Sequence, residues 1–211
     1  MTKKDAVIVY GAGISGRGAA QVLADKKQQV YLYNDMDCTL EPQLLQLLQS
    51  VGGGLAIGQA AFESLLDIAG VLVLSPGIAC DNANVLLAEQ RGLEVISEVE
   101  LGYRLYGGHI AAITGTNGKT TTTTIVGEML KCLPVPSAVG GNIGLALSKE
   151  VESLPQDAWL AAELSSFQLE KISSFCPDIA VVLNLTPDHL ERHHTMEAYG
   201  EAKKNIFRQQ G

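Results

Sequence analysis

The chain has 211 residues, 46% of them hydrophobic and 18% charged, with a formal net charge of −8. That is enough apolar material for one large core or two modest ones, and the acidic balance argues against a broad nucleic-acid or anionic-membrane surface. No apolar run approaches the roughly 20 residues that cross a bilayer, the opening Met1-Thr-Lys-Lys-Asp5 leads into a strand rather than a signal-peptide core, and four scattered cysteines (Cys38, Cys80, Cys132, Cys176) are expected to be buried thiols of a cytoplasmic protein.

Ala6-Val-Ile-Val-Tyr10 is a short β-rich run, followed by a glycine turn and a helix predicted to about Lys26. Val30-Tyr-Leu-Tyr33 is a second strand. Leu40 to Leu48 carries leucines at helical spacing before Gly52-Gly-Gly54 breaks the pattern. Val71-Leu-Val-Leu74 is a third strand, ended by Ser75-Pro76-Gly77. Val85 to Arg91 suits a helix, Glu94-Val-Ile96 a strand and Glu98 to Tyr106 a further helix. Strands alternating with helices imply parallel pairing with helices on the sheet faces.

Gly11-Ala-Gly13-Ile-Ser-Gly16 matches Gly-x-Gly-x-x-Gly between a strand and a helix, the context for a pyrophosphate at a helix N-terminus. Asp35 near the end of the second strand stands where a ribose hydroxyl is read. Three readings stay open for this turn: NAD, another diphosphate ligand such as a nucleotide sugar, and a tight turn with no ligand. A second phosphate loop later in the chain counts against NAD. So does Ser75-Pro-Gly-Ile78, which ends a later strand beside the same crevice.

Gly107-Gly108 offers a joint, and a second α/β series begins at His109. The expected domains are 1–106 and 107–211. Ile110 to Ile113 runs as a strand into Gly115-Thr-Asn-Gly-Lys-Thr120, and a helix follows from about Lys119 to Lys131. The usual phosphate-loop spacing puts a glycine where Ile113 stands, so the shorter turn must serve with Gly115 and Gly118. Glycines let backbone N–H groups aim at a phosphate, Lys119 adds a full charge, and the Thr120 hydroxyl suits Mg²⁺. A helix N-terminus favours an anion by about 0.3–1 kcal/mol at the surface, whereas catalysis asks for about 8 kcal/mol or more. Metal and further ligands are therefore required.

Glu163 ends the apolar run Ala158-Trp-Leu-Ala-Ala162, and His189 follows the run Ile179 to Leu183 through Asn184-Leu-Thr-Pro-Asp188. Both fall at C-terminal strand ends, the rim where open α/β sheets bind ligands. His189 and His193 have the i, i+4 spacing of a helical metal pair, though His194 blurs it. The last helix is predicted from about Thr195 to Phe207, ahead of Gln209-Gln210-Gly211, with no later strand to complete the sheet.

On these residues the chain resembles the Mur ligase family. The resemblance is carried by Gly115-Thr-Asn-Gly-Lys-Thr-Thr121, Gly140-Gly-Asn-Ile-Gly144, Glu163-Leu-Ser-Ser-Phe-Gln-Leu-Glu170, Asn184-Leu-Thr-Pro-Asp-His189 and Ser75-Pro-Gly-Ile-Ala79. The glycine-lysine turn is shared with folylpolyglutamate synthases. The Glu-Leu-Ser-Ser-Phe-Gln-Leu block is most similar to members that add D-glutamate to UDP-N-acetylmuramoyl-L-alanine. The resemblance implies a Rossmann-like parallel-sheet domain for the UDP-sugar and a P-loop-type α/β domain for ATP, here incomplete. A third, amino-acid-binding domain is expected to be absent, and these residues alone are expected to be inactive. The implied cofactors are ATP and Mg²⁺, and the implied process is peptidoglycan precursor synthesis, hence cell wall, cell shape and division.

Residue by residue, the resemblance implies that Gly115, Thr116, Asn117, Gly118, Lys119, Thr120 and Thr121 hold ATP. It makes Thr120, Glu163, His189 and Lys203 metal-site residues, with Lys119, Lys203 and His189 catalytic. Ile14, Ser15, Asp35, Ser75, Gly77, Asn142, Ser165 and Gln168 would line the substrate path. Lys203 matches a carbamylated lysine, a modification that needs a neutral amine first. Read without the resemblance, it is an ordinary helix lysine. The readings from other classes are a nucleotide-binding module without ligation and, from the first glycine turn alone, an NAD-dependent oxidoreductase.

Overall fold

The computed structural model describes residues 5–208. The opening Met1-Thr-Lys-Lys and the closing Gln209-Gln210-Gly211 lie outside the described residues. The chain divides into two compact units between Glu98 and Val99.

The first unit is a β/α alternation: β1 (Ala6–Tyr10), α1 (Ile14–Asp25), β2 (Val30–Asn34), α2 (Pro42–Ser50), β3 (Gly54–Ile57), α3 (Gln59–Leu65), β4 (Ala69–Leu74), α4 (Ala83–Gln90) and β5 (Glu94–Ser97). The strands pair in parallel in the order β3-β2-β1-β4-β5. The order reverses beside β1, so the crevice at the carboxyl ends of β1 and β4 is where such a sheet binds ligands. β1 is buried throughout, as a central parallel strand must be. Ala6, Ile8 and Tyr10 face a core closed by Phe62, Leu66, Val85 and Ala88 from α3 and α4 and their ends. The third glycine of the first turn is sterically required: a Cβ on Gly16 would stand 1.8 Å from the Gly11 carbonyl oxygen.

The second unit takes in all but the first residue of α5 (Glu98–Leu105), then β6 (His109–Thr114), α6 (Lys119–Leu130), β7 (Ser137–Gly141), α7 (Leu147–Glu152), β8 (Trp159–Glu163), β9 (Ile179–Val182), α8 (Leu190–His193) and α9 (Met196–Lys204). Its parallel sheet has the order β7-β8-β6-β9. Ile110, Ala112, Leu160 and Ala162 pack with Leu147, Val151, Leu169, Phe175 and Ile206, while α6 lies along β6, β7 and β8.

The division falls ahead of the Gly107–Gly108 joint because α5 is fastened to the second unit. Val99 sits in that unit's core. The fully buried Glu100 carboxylate accepts from the backbone N–H groups of Ser173, Ser174 and Phe175, the hydroxyls of Ser173 and Ser174, and Arg104 Nε. Burial alone would push this carboxyl up, but the bonds from Ser174, Ser173 and Arg104 outweigh it and hold its pKa at about 2.

Two expectations are corrected. None of the four cysteines is buried: Cys38 and Cys80 are half-buried, and Cys132 and Cys176 are exposed, one just past α6 and the other in the loop before β9. The last helix is also shorter than predicted, since α9 ends at Lys204 and a 3₁₀ turn, Asn205–Phe207, carries Ile206 into the core.

Candidate functional site

In the second unit the turn 115–118 joins β6 to α6. Gly118 stands at the helix N-cap with φ +81, a left-handed conformation suited to glycine, and no side chain caps the helix. The N–H groups of the first turn have no intrahelical partner, so those around Lys119, Thr120 and Thr121 point outward, with Thr120 and Thr121 exposed. Such a helix N-terminus has the geometry that suits an anion.

The turn is shaped by residues far along the chain. Thr116 N–H donates to the Asn184 carbonyl (3.1 Å), and Asn117 N–H donates to Asn184 Oδ1 (2.9 Å). Thr116 Oγ1 donates to the Thr186 carbonyl (3.1 Å) and accepts from Thr186 N–H (3.0 Å). Its one hydrogen is thereby used, so the Tyr199 hydroxyl 3.1 Å away must be the donor in that contact. Burial raises the Tyr199 pKa, which keeps the phenol protonated for this role. The polar hydrogens of Thr116 and the N–H of Asn117 are thus turned inward. These two residues set the curvature of the turn, and the outward N–H groups come from Gly118 onward.

Lys119 Nζ donates to the carbonyls of Gly115 (3.0 Å) and Thr116 (2.9 Å). Lys203, 2% exposed, donates from α9 to Gly115 O (2.8 Å) and Thr114 Oγ1 (3.3 Å). Burial first, and then the charge of Lys119, lowers its pKa from 10.5 to about 8.

Glu163 ends β8 in register with Ile113, two residues before Gly115. It is 2% exposed; Oε1 accepts from Asn142 Nδ2 at 2.9 Å, and Oε2 is buried with no hydrogen-bond partner. Asn142 N–H also donates to the Glu163 carbonyl (2.8 Å), which places the end of β7 beside that carboxylate. β9 pairs with the other side of β6, so the segment carrying His189 leaves from the same rim. His189 has φ +52 and is exposed, with its ring 4.9 Å from that of Phe167.

His189 and His193 sit in different settings, one exposed and one buried. His193 is buried, its Nε2 2.9 Å from Ser166 Oγ and its ring 5.3 Å from that of Tyr199. Among the described residues no group of three or more His, Cys, Asp or Glu side chains gathers into a metal cluster. The expected Ser165 and Gln168 satisfy each other: Gln168 Oε1 accepts from Ser165 N–H (2.9 Å) and Oγ (3.0 Å).

In the first unit Ile14 is 81% exposed at the start of α1, and Ser15 beside it is half-buried. Ser75 is buried and donates to the Gly11 carbonyl (3.0 Å), tying the end of β4 to the glycine turn; Gly77 has open space at its α-carbon. Asp35 is exposed just past β2. It accepts from the Tyr10 hydroxyl (2.6 Å), the Tyr33 hydroxyl (2.8 Å) and Asn84 Nδ2 (3.2 Å). Sequence reasoning missed Tyr10, Tyr33, Asn84, Asn184 and Tyr199; the Asn184 segment stood out only as a motif, and the others carry no local signal.

Residues 113–211 match the family model described as the Mur ligase middle domain, and residues 5–97 match the one described as Mur ligase MurD-like, N-terminal domain. The chain is 44% identical over 97% of its length to the UDP-N-acetylmuramoylalanine--D-glutamate ligase of Lachnoclostridium phytofermentans, of which it covers 45%. It is 45% identical, over the same 97% and 45%, to the protein of that description from Oceanobacillus iheyensis. The chain thus spans less than half the length of these relatives. Among solved structures, the UDP-N-acetylmuramate:L-alanyl-gamma-D-glutamyl-meso-diaminopimelate ligase of Neisseria meningitides shares the fold at TM-score 0.57 and 21% identity, covering 97% of this chain and 68% of that one. No helix among the described residues is long and apolar enough to cross a membrane.

Proposed function

This chain belongs to the Mur ligase family, and from that premise we propose that it is part of an ATP-dependent ligase that adds D-glutamate to UDP-N-acetylmuramoyl-L-alanine in cytoplasmic peptidoglycan precursor synthesis. The first unit takes the UDP-sugar, with Ile14 and Ser15 at the diphosphate and Asp35 at the nucleoside. The second takes ATP at Gly118 to Thr121.

The observation that carries the ATP reading is the buried, unpartnered Oε2 of Glu163 at the strand tip beside the glycine-lysine turn. An isolated carboxylate oxygen is costly to bury, and a cation relieves that cost. Mg²⁺ favours oxygen ligands, keeps several waters and is held by one or two carboxylates plus substrate phosphates. The Glu163 carboxylate and the exposed Thr120 hydroxyl fit that donor set without an acidic cluster. Mg²⁺, when bound, would neutralise phosphate charge. His189 at the same rim is placed as its further site residue.

Transfer of the γ-phosphoryl group of ATP to the substrate carboxylate breaks its bond to the β-phosphate, releases ADP and gives an acyl phosphate. The D-glutamate amine then attacks the acyl carbon, and phosphate leaves. Bringing the two anions together costs about 4 kcal/mol at 4 Å and an effective dielectric of 20. Lys119 and the outward N–H groups oppose that repulsion, because they already stand at the turn. Lys203 is assigned as the lysine that takes up CO₂: its lowered pKa supplies neutral amine near pH 8. Asn142, Ser165 and Gln168 are assigned to the muramoyl-alanine path.

Calorimetry with UDP-N-acetylmuramoyl-L-alanine, ATP·Mg²⁺ and NADH tests the proposal. Binding of the first two is expected, and binding of NADH alone would return the chain to the oxidoreductase reading.

A further inference from the structure

The Asp35 carboxylate is held from three elements. A carboxylate offers about four lone-pair sites, two on each oxygen. Oδ1 uses two, accepting from the Tyr33 hydroxyl at 2.8 Å and Asn84 Nδ2 at 3.2 Å. Oδ2 uses one, accepting from the Tyr10 hydroxyl at 2.6 Å. One acceptor lobe of Oδ2 is left, on a side chain that is exposed at the carboxyl edge of the sheet.

The supports are rigid. Tyr10 and Tyr33 are 0% and 1% exposed, with ring centroids 4.9 Å apart, and Tyr33 packs on Phe62 at 4.7 Å. Phenols this deeply set require an acceptor for their hydroxyls, and here it is Asp35. Asn84 closes the arrangement by also donating to the Tyr33 oxygen (3.1 Å). Packing therefore fixes the direction of the remaining lobe.

We propose that Tyr10 and Tyr33 are positioning residues for nucleoside recognition, holding Asp35 so that its one open lobe takes a single neutral N–H or O–H donor of the bound nucleotide. A uracil imide N–H and a ribose hydroxyl both supply that chemistry. A phosphate does not, because two anions would meet, so the diphosphate lies toward the glycine turn and the nucleoside toward Asp35. The inference deepens, and rests on, the reading of the first unit as the UDP-sugar site.

The test is calorimetry of the 211-residue chain and its Tyr10→Phe, Tyr33→Phe, Asn84→Ala and Asp35→Asn variants with UDP, N3-methyl-UDP, 2′-deoxy-UDP and inorganic pyrophosphate. Loss of one positioning bond is expected to weaken UDP binding about five- to tenfold, with pyrophosphate affinity unchanged. In the Asp35→Asn background, Tyr10→Phe should have no further effect, a non-additivity that damage to folding alone would not produce. The analogue that loses as much affinity as Asp35→Asn identifies the donor group. Unchanged UDP affinity in the Tyr10→Phe, Tyr33→Phe and Asn84→Ala variants overturns the inference and leaves the UDP site standing. Equal losses for UDP and pyrophosphate also overturn it, by showing a structural role only. Absence of UDP binding to the unsubstituted chain removes the site reading and the inference together. Should Tyr10→Phe fail to fold, Tyr33→Phe and Asn84→Ala, which act on the other carboxylate oxygen, decide the matter.

Discussion

Lys119 and Lys203 place their ammonium groups on one oxygen, the Gly115 carbonyl, at 3.0 and 2.8 Å. Two like charges converge there, one of them buried. An anion delivered to the turn would relieve both, which is why the proposed phosphate site rests on this pair and not on either lysine alone.

The crowding makes stability depend on pH. Lys203 has a pKa of about 8 in the folded chain, below its ordinary 10.5. Between those values the unfolded chain binds more protons, so stability rises as pH increases through this window. Relative to the neutral amine, the stabilisation is complete above 10.5 and lost as pH falls through about 8. The span is about 3 kcal/mol. Urea unfolding between pH 7 and 9, below the ordinary phenol value of 10 at which the tyrosines of the unfolded chain titrate, should show this slope. Lys203→Met should flatten it, and an unchanged slope in that variant would exclude Lys203 as the source.

Lys119→Ala is expected to weaken ATP·Mg²⁺ binding about 10- to 100-fold, the range for losing a charge-assisted bond. UDP-sugar binding by the first unit should be unchanged. Calorimetry with each ligand separates the two effects, and equal affinity for ATP in the variant would dismiss Lys119 as a phosphate ligand.

Metal removal should act through Glu163. In the unsubstituted chain, replacing Mg²⁺ by EDTA should weaken ATP binding. In Glu163→Gln the amide cannot supply the anionic oxygen, so the difference between Mg²⁺ and EDTA should shrink by about 1–3 kcal/mol, the cost attached to one unpaired buried group. A Mg²⁺ effect of the original size would place the ion elsewhere.

Glu100→Gln should destabilise the second unit by about 3 kcal/mol at neutral pH, since a folded pKa of about 2 lies well below the ordinary 4.5. The sign is opposite to that of Lys203. The contribution is present above 4.5 and lost as pH falls toward 2. Acid unfolding of the two chains should converge at low pH; a constant gap would mean that packing, not charge, is at stake.

The alternating pattern and both glycine turns were legible in the sequence because their strands are central. β1 and β6 lie inside their sheets and read as unbroken apolar runs. β3 and β7 were not seen. Both are edge strands, half-buried and rich in glycine and alanine, and pairing with β2 and β8 makes them strands rather than any local preference. At the site, Lys119, Glu163 and His189 could be placed on one rim from strand ends alone. The partners of Thr116 could not, since Asn184 and Tyr199 lie 68 and 83 residues away and neither residue type announces such a bond.

The order in which the chain leaves the ribosome follows from the same separations. The glycine-lysine segment is made early in its unit, yet the strands that flank β6 are the later β8 and β9. The hydroxyl that steadies Thr116 and the amine that sits on Gly115 arrive later still, at Tyr199 and Lys203. A nascent chain halted after α6 thus carries every residue of the glycine-lysine turn but not the contacts from Asn184, Tyr199 and Lys203 that hold it. If the turn takes ATP as proposed, that affinity should be acquired abruptly, as α9 emerges and completes these contacts.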